Sequence, residues 1–330
     1  MKKNGQGGKP VIAVDIGGTK IMLALFSHEG KLIDRELCFT LAEQGLDRII
    51  GRMSSTIESL LKRSGLVPSQ AGAICIACAG GIDTARGVVV TPSPHLPGWE
   101  EAPLADIIKR KFLVDVYVVN DASAAALGEH RYGVGKGMNN LVLLTLGTGI
   151  GGGIIIDGKL YLGSVGGAGE LGHMTIDADG PECGCGNIGC LEILASGKAV
   201  EKQAAERLRK GEKSSLADIF KKNSKITAEE VGSAARNGDK LAQDIITRAA
   251  YYLGIGLVNI TNIFNPELII IGGGMAELGE MIIGQGRKMV AERPFSINSR
   301  AVRIVKAELG NQAGIYGAAA FALDMIRRQS

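Results

Sequence analysis

The first part of the chain alternates short apolar runs with glycine-containing turns. Residues 11–16 (VIAVDI), 21–26 (IMLALF) and 32–37 (LIDREL) are separated by GGTK and HEGK. Apolar runs joined by such tight turns predict three antiparallel strands. The elements expected next are a helix at 45–63, a strand at 73–80, a proline-rich loop at 91–98, a helix at 103–111, a strand at 114–119 and a helix from 122.

The same pattern returns about 130 residues later. LVLLTLGTG (141–149) aligns with VIAVDIGGT, and IDGKL aligns with HEGKL at nearly the same offset. A return strand at 152–157 and a third strand beginning at 158–163 complete the repeat. A repeated strand–turn–strand unit predicts two duplicated domains in an α/β protein.

The pattern after residue 195 is mostly helical. Ser215 to Asp218 and Thr227 to Glu230 both have the spacing of a capping box. A long helix at 239–264 should end at Asn265-Pro266. The elements expected after it are a strand at 267–271, a GGG turn, a helix at 275–292, a strand at 302–309 and a helix at 312–328.

Composition narrows the class of protein. The 330 residues are 45% hydrophobic and 22% charged with a net charge of +3, which is ordinary for a globular protein and too weak a bias to indicate nucleic acid or a membrane surface as a partner. The sequence contains no uninterrupted run of about 18 apolar residues, so no membrane helix is predicted. The polar N-terminus, MKKNGQGGKP, does not resemble a signal peptide. We therefore expect a cytoplasmic protein with a flexible tail at 1–10.

Two glycine turns are candidate anion sites. The segment 147–152 has the form G-x-G-x-x-G, but a strand and not a helix follows it, which excludes a Rossmann dinucleotide loop. The segment Asp15–Lys20 is its counterpart in the first repeat. Successive backbone N–H groups in such turns bind anions. A single turn of this kind is equally well a plain hairpin, but two in equivalent positions predict a pair of phosphate loops.

The pair Asn120-Asp121 closes an apolar strand and opens a helix. An aspartate there is commonly only a helix cap. Strand ends are also where α/β proteins bind ligands. The residues themselves leave both interpretations open.

Four potential metal ligands lie within 18 residues. Cys183, Cys185 and Cys190 follow His173, with glycines between them, and Cys3His is a usual structural zinc set. Such a closed set would hold the neighbouring Glu170 and Glu192 in place. Cys75 and Cys78 are assigned to packing, because positions i and i+3 of a strand face opposite sides and cannot share a metal or a disulfide. Cys38 is also assigned to packing.

From residue 11 to about 320 the sequence resembles the ROK family of sugar kinases. The resemblance rests on DIGGTK (15–20), CAGGID (78–83), LPGW (96–99), NDASAAALGE (120–129), LGTGIGGG (146–153), GELGH (169–173), CGCGNIGCLE (183–192) and NPELIIIGGG (265–274). It implies the sugar kinase–actin–heat-shock ATPase superfold: two duplicated actin-like (ribonuclease H-like) lobes with a cleft between them and a zinc knuckle. The implied lobes are 11–120 plus 311–330, the smaller, and 121–310, the larger.

The resemblance also implies a role for each matching residue. Asp121 is the expected general base for the sugar hydroxyl. The expected sugar ligands are Gly80, Gly81, Asn120, Asp121, Glu170, His173 and Glu192. The expected ATP-binding residues are Asp15, Gly17, Gly18, Thr19, Lys20, Gly147, Thr148, Gly149, Gly151, Gly152, Gly272, Gly273 and Gly274, with Asp15 near Mg²⁺. The expected zinc ligands are His173, Cys183, Cys185 and Cys190.

The implied activity is ATP-dependent phosphorylation of a hexose, first of all glucose at the 6-hydroxyl. N-acetylmannosamine, fructose and allose are alternatives within the family. His95, Ser123 and Ala79 depart from residues common in it, and His95 is either a sugar contact or a loop residue. Repressors of this family are expected to carry a helix-turn-helix domain before the first strand. Only ten residues precede that strand here, so a sugar-responsive repressor is disfavoured. A homodimer or homotetramer is expected, with sugar and ATP as ligands.

Overall fold

The computed structural model of the chain describes residues 8–93 and 96–329, without the side chain of Pro92. His95, and with it the choice between sugar contact and loop residue, lies outside the described residues. None of the described helices is long and apolar enough to cross a bilayer.

Strands and helices alternate in the first half, and helices dominate the second. The strands are β1 (Val11–Ile16), β2 (Lys20–Phe26), β3 (Leu32–Phe39), β4 (Ala73–Cys78), β5 (Gly80–Asp83), β6 (Val88–Pro92), β7 (Asp115–Asn120), β8 (Leu141–Leu146), β9 (Ile150–Ile156), β10 (Lys159–Leu160), β11 (Leu268–Gly272) and β12 (Arg303–Lys306). The helices are α1 (Leu46–Arg63), α2 (Leu104–Phe112), α3 (Asp121–Tyr132), α4 (Leu191–Ala195), α5 (Gly197–Arg209), α6 (Ala217–Asn223), α7 (Ala228–Arg236), α8 (Lys240–Phe264), α9 (Glu280–Glu292), α10 (Ser296–Ser299) and α11 (Ala313–Gln329).

Two five-stranded sheets share one topology. Their strand orders are β3-β2-β1-β4-β7 and β10-β9-β8-β11-β12. In the first, β1 is antiparallel to β2 and parallel to β4. In the second, β8 is antiparallel to β9 and parallel to β11. The repeat predicted from the sequence is therefore confirmed as a repeated sheet topology.

The chain divides into two compact units. The first comprises residues up to Lys136 together with 160–168 and 311–330, and the second comprises 137–159 and 169–310. The first unit contains the sheet β3-β2-β1-β4-β7 together with α3 and α11. The lobe boundaries expected from the family resemblance stay a prediction.

Glycines allow two helices of the first unit to meet closely. A Cβ atom on Gly317 of α11 would lie 1.7 Å from the carbonyl oxygen of Ala124 in α3, and one on Gly128 of α3 would lie 2.2 Å from that of Ala313. A side chain at either position would separate the helices. A Cβ atom on Gly314 would lie 2.5 Å from a carboxylate oxygen of Asp15. The N-terminal turn of α11 therefore lies beside β1.

In the second unit, a long helix organises the core. The side chain of Asp239 caps α8 by accepting from the amide of Ala242, and Asn265 ends it in the left-handed conformation. The buried face of α8 includes Ile245, Leu253 and Leu257. This helix packs against α4 and α9, and α4 also contacts β9.

The structure differs from several local expectations. Ser215 does not form a capping box: its hydroxyl donates to Asp239 at 2.9 Å, and α6 begins after Leu216. The capping box of Thr227 and Glu230 is present. The helix expected at 275–292 is interrupted at Gly279, where φ is +59°.

The strand predictions were partly wrong at their ends. The strand expected at 73–80 ends at Cys78, because Gly80 opens a separate hairpin of β5 and β6 that takes the first residues of the loop predicted at 91–98. The strand expected at 158–163 is reduced to Lys159–Leu160. Cys75 and Cys78 are buried in β4, as the packing assignment predicted.

Candidate active site and candidate metal centre

Two carboxylates of the first unit lie at one edge of its sheet. The strands β1, β4 and β7 are parallel, so their carboxyl ends meet at this edge. Asp15 lies near the end of β1, and Asp121 follows the end of β7. Burial, and to a smaller extent the charge of Asp121, raise the pKa of Asp15 to about 7. The site therefore disfavours a second negative charge unless a cation is present.

Asn120 occupies the helix cap in front of Asp121. Its Oδ1 accepts from the amides of Ala122 and Ser123 at 3.0 and 3.1 Å. Its Nδ2 donates to the carbonyl oxygen of Gly80 at 3.1 Å. Asp121 is the first residue of α3, and its Oδ1 accepts from the amide of Ala122 at 2.8 Å. The cap that was one interpretation of Asp121 is thus formed by its neighbour.

Gly80 and Gly81 lie next to this pair of residues. Gly80 has a φ of +116°, which favours glycine, and its carbonyl faces Asn120. Gly81 packs against Thr91 of β6, where a Cβ atom would come within 3.3 Å. The first unit therefore brings together Asp15, Gly80, Gly81, Asn120 and Asp121.

The first glycine turn joins β1 to β2. The amide of Gly17 donates to the carbonyl of Lys20 at 3.0 Å. Within the described residues, the amides of Gly18 and Thr19 donate to no protein acceptor, and both residues are exposed. Two free N–H groups in one turn are what an anion-binding loop requires.

The second glycine turn joins β8 to β9 and is held by the segment that follows the cysteines. Oε2 of Glu192 accepts from the amide of Ile150 at 2.8 Å. The amide of Gly197 donates to Gly147 at 2.8 Å, and that of Lys198 donates to Thr148 at 3.3 Å. Glu192, predicted as a sugar ligand, therefore also supports a predicted phosphate loop, a contact that the sequence did not reveal.

A third glycine turn lies at the same sheet edge as the second. Gly272 ends β11, which is parallel to β8, and Thr145 is its partner in register. Gly273 has a φ of +82°, and a Cβ atom there would lie 2.4 Å from the carbonyl oxygen of Leu146. Of the ATP-binding residues that the resemblance implies, the second unit thus brings Gly147–Gly152 and Gly272–Gly274 to one edge.

The four predicted metal ligands converge in the second unit. One ligand atom from each of His173, Cys183, Cys185 and Cys190 lies within 4.8 Å of all the others. The Sγ atoms of Cys185 and Cys190 are 3.7 Å apart, and Sγ of Cys183 is 3.8 Å from Nδ1 of His173. A tetrahedral zinc ion about 2.3 Å from each sulfur separates neighbouring sulfurs by roughly 3.8 Å. The four residues therefore fit zinc.

Backbone turns and one asparagine shape this Cys3His set. Gly186 and Gly189 have positive φ, and a Cβ atom on Gly189 would lie 1.6 Å from the carbonyl oxygen of Asp177. A hydrogen bond from the Asn187 backbone lowers the pKa of Cys185, which favours its thiolate. Burial raises the pKa of Cys190 to about 12, so a cation is needed to hold that thiolate.

His173 faces the sulfurs with one ring nitrogen and a glutamate with the other. Nε2 lies 4.0 Å from Oε2 of Glu170, on the side opposite the Nδ1 contact. Cys190 is the N-cap residue of α4, which carries Glu192. The Cys3His set is therefore directly joined to both glutamates that bracket it in the sequence.

The described features define an actin-like ATPase fold with a Cys3His knuckle, and comparisons with known proteins agree. The sequence profile of the ROK family matches residues 11–325, and the chain belongs to this family. It is 35% identical over 316 residues to the glucokinase of Thermotoga maritima, covering 96% of this chain and 98% of that protein.

Both enzymes and regulators occur among the relatives. A ROK family glucokinase from Streptomyces griseus, solved with glucose and AMPPNP, superimposes with a TM-score of 0.77 at 33% identity, covering 97% of this chain and all of that one. The xylose repressor of Caldicellulosiruptor bescii is 32% identical over 317 residues, which are 96% of this chain and 79% of the repressor.

Proposed function

We propose that this protein phosphorylates a hexose with ATP, and that glucose is its preferred substrate. The observation that carries the proposal is the pair of carboxylates at the edge of the first sheet, with Asn120 as the cap that leaves Asp121 at the first turn of α3. The relatives named glucokinase, at 35% identity over nearly the whole chain, support ATP-dependent hexokinase activity.

Asp121 acts as the general base. A sugar hydroxyl is a weak nucleophile, and its proton must leave as the bond to phosphorus forms. The carboxylate of Asp121 accepts this proton. Asn120 fixes the start of α3 through its cap and reaches Gly80 through Nδ2, so the base has a defined position. Gly80, Gly81 and Asn120 bind the sugar beside it.

The glycine turns hold the nucleotide. The amides of Gly18 and Thr19 and those of the second turn, Gly147–Gly152, donate to phosphate oxygens, and Gly272–Gly274 lie beside the adenosine. Mg²⁺, when bound with the nucleotide, would offset negative charge on the transferring phosphoryl group. Asp15 is the residue suited to lie near that ion, because burial and the charge of Asp121 raise its pKa and a cation would stabilise its carboxylate.

The Cys3His set binds zinc and serves a structural role. With four protein ligands, no position remains open for a substrate. Glu170 and Glu192 present acceptors to the sugar hydroxyls, while His173, with Nδ1 toward the metal, presents its Nε2–H as a donor, and the set fixes their backbone. Thiols are kept reduced in the cytoplasm, the predicted location, and so remain available to the metal. The predicted homodimer or homotetramer stays a prediction.

The experiment is a phosphorylation assay with a sugar panel. Purified protein is given ATP and Mg²⁺ with glucose, fructose, allose, mannose and N-acetylmannosamine, and ADP release is coupled to NADH oxidation. Glucose should give the highest kcat/KM. Phosphorylation of none of these sugars, together with binding of a sugar without turnover, would contradict the proposal and favour the regulatory branch of the family.

A further inference from the structure

One residue outside the family motifs holds both sides of the first glycine turn. Thr40 follows β3 and is fully buried. Its Oγ1 donates to the carbonyl oxygen of Gly17 at 2.6 Å, and its amide donates to that of Thr19 at 2.8 Å. The turn itself has only the bond from Gly17 to Lys20. Thr40 therefore orients the Gly17 carbonyl, whose peptide plane carries the Gly18 N–H, and the Thr19 carbonyl, whose plane carries the Lys20 N–H.

Arg52 of α1 in turn holds Thr40. Its guanidinium donates to the carbonyl oxygens of Phe39 (3.2 Å) and Leu41 (3.4 Å), to that of Thr40, and to Oε1 of Gln44 (2.6 Å). Leu41 has a φ of +47°, a conformation that a leucine rarely adopts. A planar group with several donors fits such a row of carbonyls, and a lysine ammonium could not bridge them all.

The carbonyl contacts leave the opposite face of the turn available. The amides of Gly18 and Thr19 have no protein acceptor within the described ranges. The Gly18 amide lies in a peptide plane that Thr40 holds, and the plane of the Thr19 amide lies between the two held planes. In a free hairpin turn, these planes would rotate, and ordering them would weaken anion binding. Fixing them in advance removes that loss.

We propose that Thr40 and Arg52 are positioning residues for the nucleotide, acting through the first glycine turn. The proposal rests on the proposed kinase function. Neither residue touches the reacting atoms: Arg52 orders the chain from Phe39 to Leu41, and Thr40 transmits this order to Gly17 and Thr19. Their loss therefore raises KM for ATP and leaves KM for the sugar unchanged.

Thr40→Val, Thr40→Ser and Arg52→Lys test this, with Arg63→Gln as the matched control. Arg63 also lies on α1 and binds Asp34 and Glu36 of β3, but it makes no bond to the loop after β3. We expect Thr40→Val and Arg52→Lys to raise KM for ATP and Kd for AMPPNP about tenfold, the effect of one lost hydrogen bond. KM for glucose should stay within about twofold. Thr40→Ser keeps the hydroxyl and should restore ATP affinity.

Hydrogen exchange of the nucleotide-free proteins separates this proposal from the kinase function. The amides of Gly17 and residue 40, which donate to Lys20 and Thr19, should exchange faster in Thr40→Val and Arg52→Lys than in the wild type and in Arg63→Gln. Unchanged exchange would overturn the proposal that Thr40 and Arg52 hold the first glycine turn, whatever the activity of the variants. Faster exchange with unchanged Kd for AMPPNP overturns its role in nucleotide binding. A wild type that binds AMPPNP but phosphorylates no sugar contradicts the kinase function and leaves the binding measurement decisive here.

Discussion

Asp121 and Asp15 lie close enough for the charge of one to raise the pKa of the other, yet their expected tasks differ. Asp121 stands at the first turn of α3 as the proposed base, while Asp15 lies near the end of β1 against Gly314. Each can be tested by an asparagine, which keeps the shape of the side chain and removes its charge.

For the base, Asp121→Asn should lower kcat by about 10²–10⁴ and change glucose affinity little, because the amide cannot accept the proton. Steady-state kinetics and glucose titration measure both effects. Asp115→Asn, at the opposite end of β7, is the control and should stay near wild type. A kcat of Asp121→Asn within threefold of wild type would mean that this carboxylate only supports the helix.

Asp15 should reduce stability at neutral and alkaline pH. Its pKa is raised from 3.8 to about 7 in the folded chain, so the native state binds a proton that the unfolded state has lost between these values, and stability falls as pH rises through them. Asp15→Asn should therefore raise the free energy of unfolding at pH 8, by up to about 4 kcal/mol.

The gain from Asp15→Asn should nearly vanish at pH 4, where wild-type Asp15 is largely protonated when folded. Urea unfolding at both pH values, in buffers without Mg²⁺, measures it. Asp218→Asn is the control, since that side chain is 97% exposed. An equal gain at pH 4 and pH 8 would show that the effect is packing and not charge.

At the scale of elements, the close contact of α3 and α11 depends on a missing side chain. Gly317→Ala should lower the free energy of unfolding by about 1–3 kcal/mol, because its Cβ atom would overlap the carbonyl of Ala124. Gly51→Ala is the matched control on α1: nothing lies within 4 Å, so it should stabilise by about 0.5–1 kcal/mol. Denaturant titration measures the free energy of unfolding of both variants. An equal change in the two would show that the loss of glycine matters and the contact with Ala124 does not.

The Cys3His set should hold α4 in place against the first residue of β9, because Cys190 caps α4 and Glu192 of α4 binds the amide of Ile150. We expect about one zinc ion per chain by elemental analysis. Removing it with a chelator should accelerate hydrogen exchange at 170–192, and also at Ile150, because Glu192 joins α4 to that amide. Cys190→Ser should reproduce the loss of zinc, and Cys38→Ser should not. Metal-free protein with unchanged exchange and full activity would contradict the structural role.

At the scale of the whole molecule, the substrate depends on residues from several elements. Glu170 and Glu192 offer carboxylate acceptors to ring hydroxyls, and His173 offers a donor. An N-acetyl group replaces one hydroxyl donor with a bulkier amide. We expect glucose to exceed N-acetylmannosamine at least about tenfold in kcat/KM, or about 1.4 kcal/mol. Parallel kinetics with both sugars measure this. A preference for N-acetylmannosamine would leave the kinase function intact and overturn the choice of glucose.

The sequence by itself determined those features in which neighbouring residues decide the outcome. The repeated strand–turn–strand units, the capping box at Thr227 and the end of α8 at Asn265-Pro266 all depend on period, turn chemistry and caps within a few residues. The Cys3His set was also predictable, because its ligands lie within 18 residues and glycines allow them to converge.

Only the tertiary structure decided the contacts between residues far apart in the chain. Ser215 binds Asp239 and so leaves its expected capping box, while Glu192 reaches Ile150 across 42 residues. The pKa of Asp15 and the hold of Arg52 on Thr40 depend likewise on burial and on partners from other elements. Such contacts follow from the packing of whole elements, and no local pattern encodes them, because the sheet and its helices set which distant side chains meet.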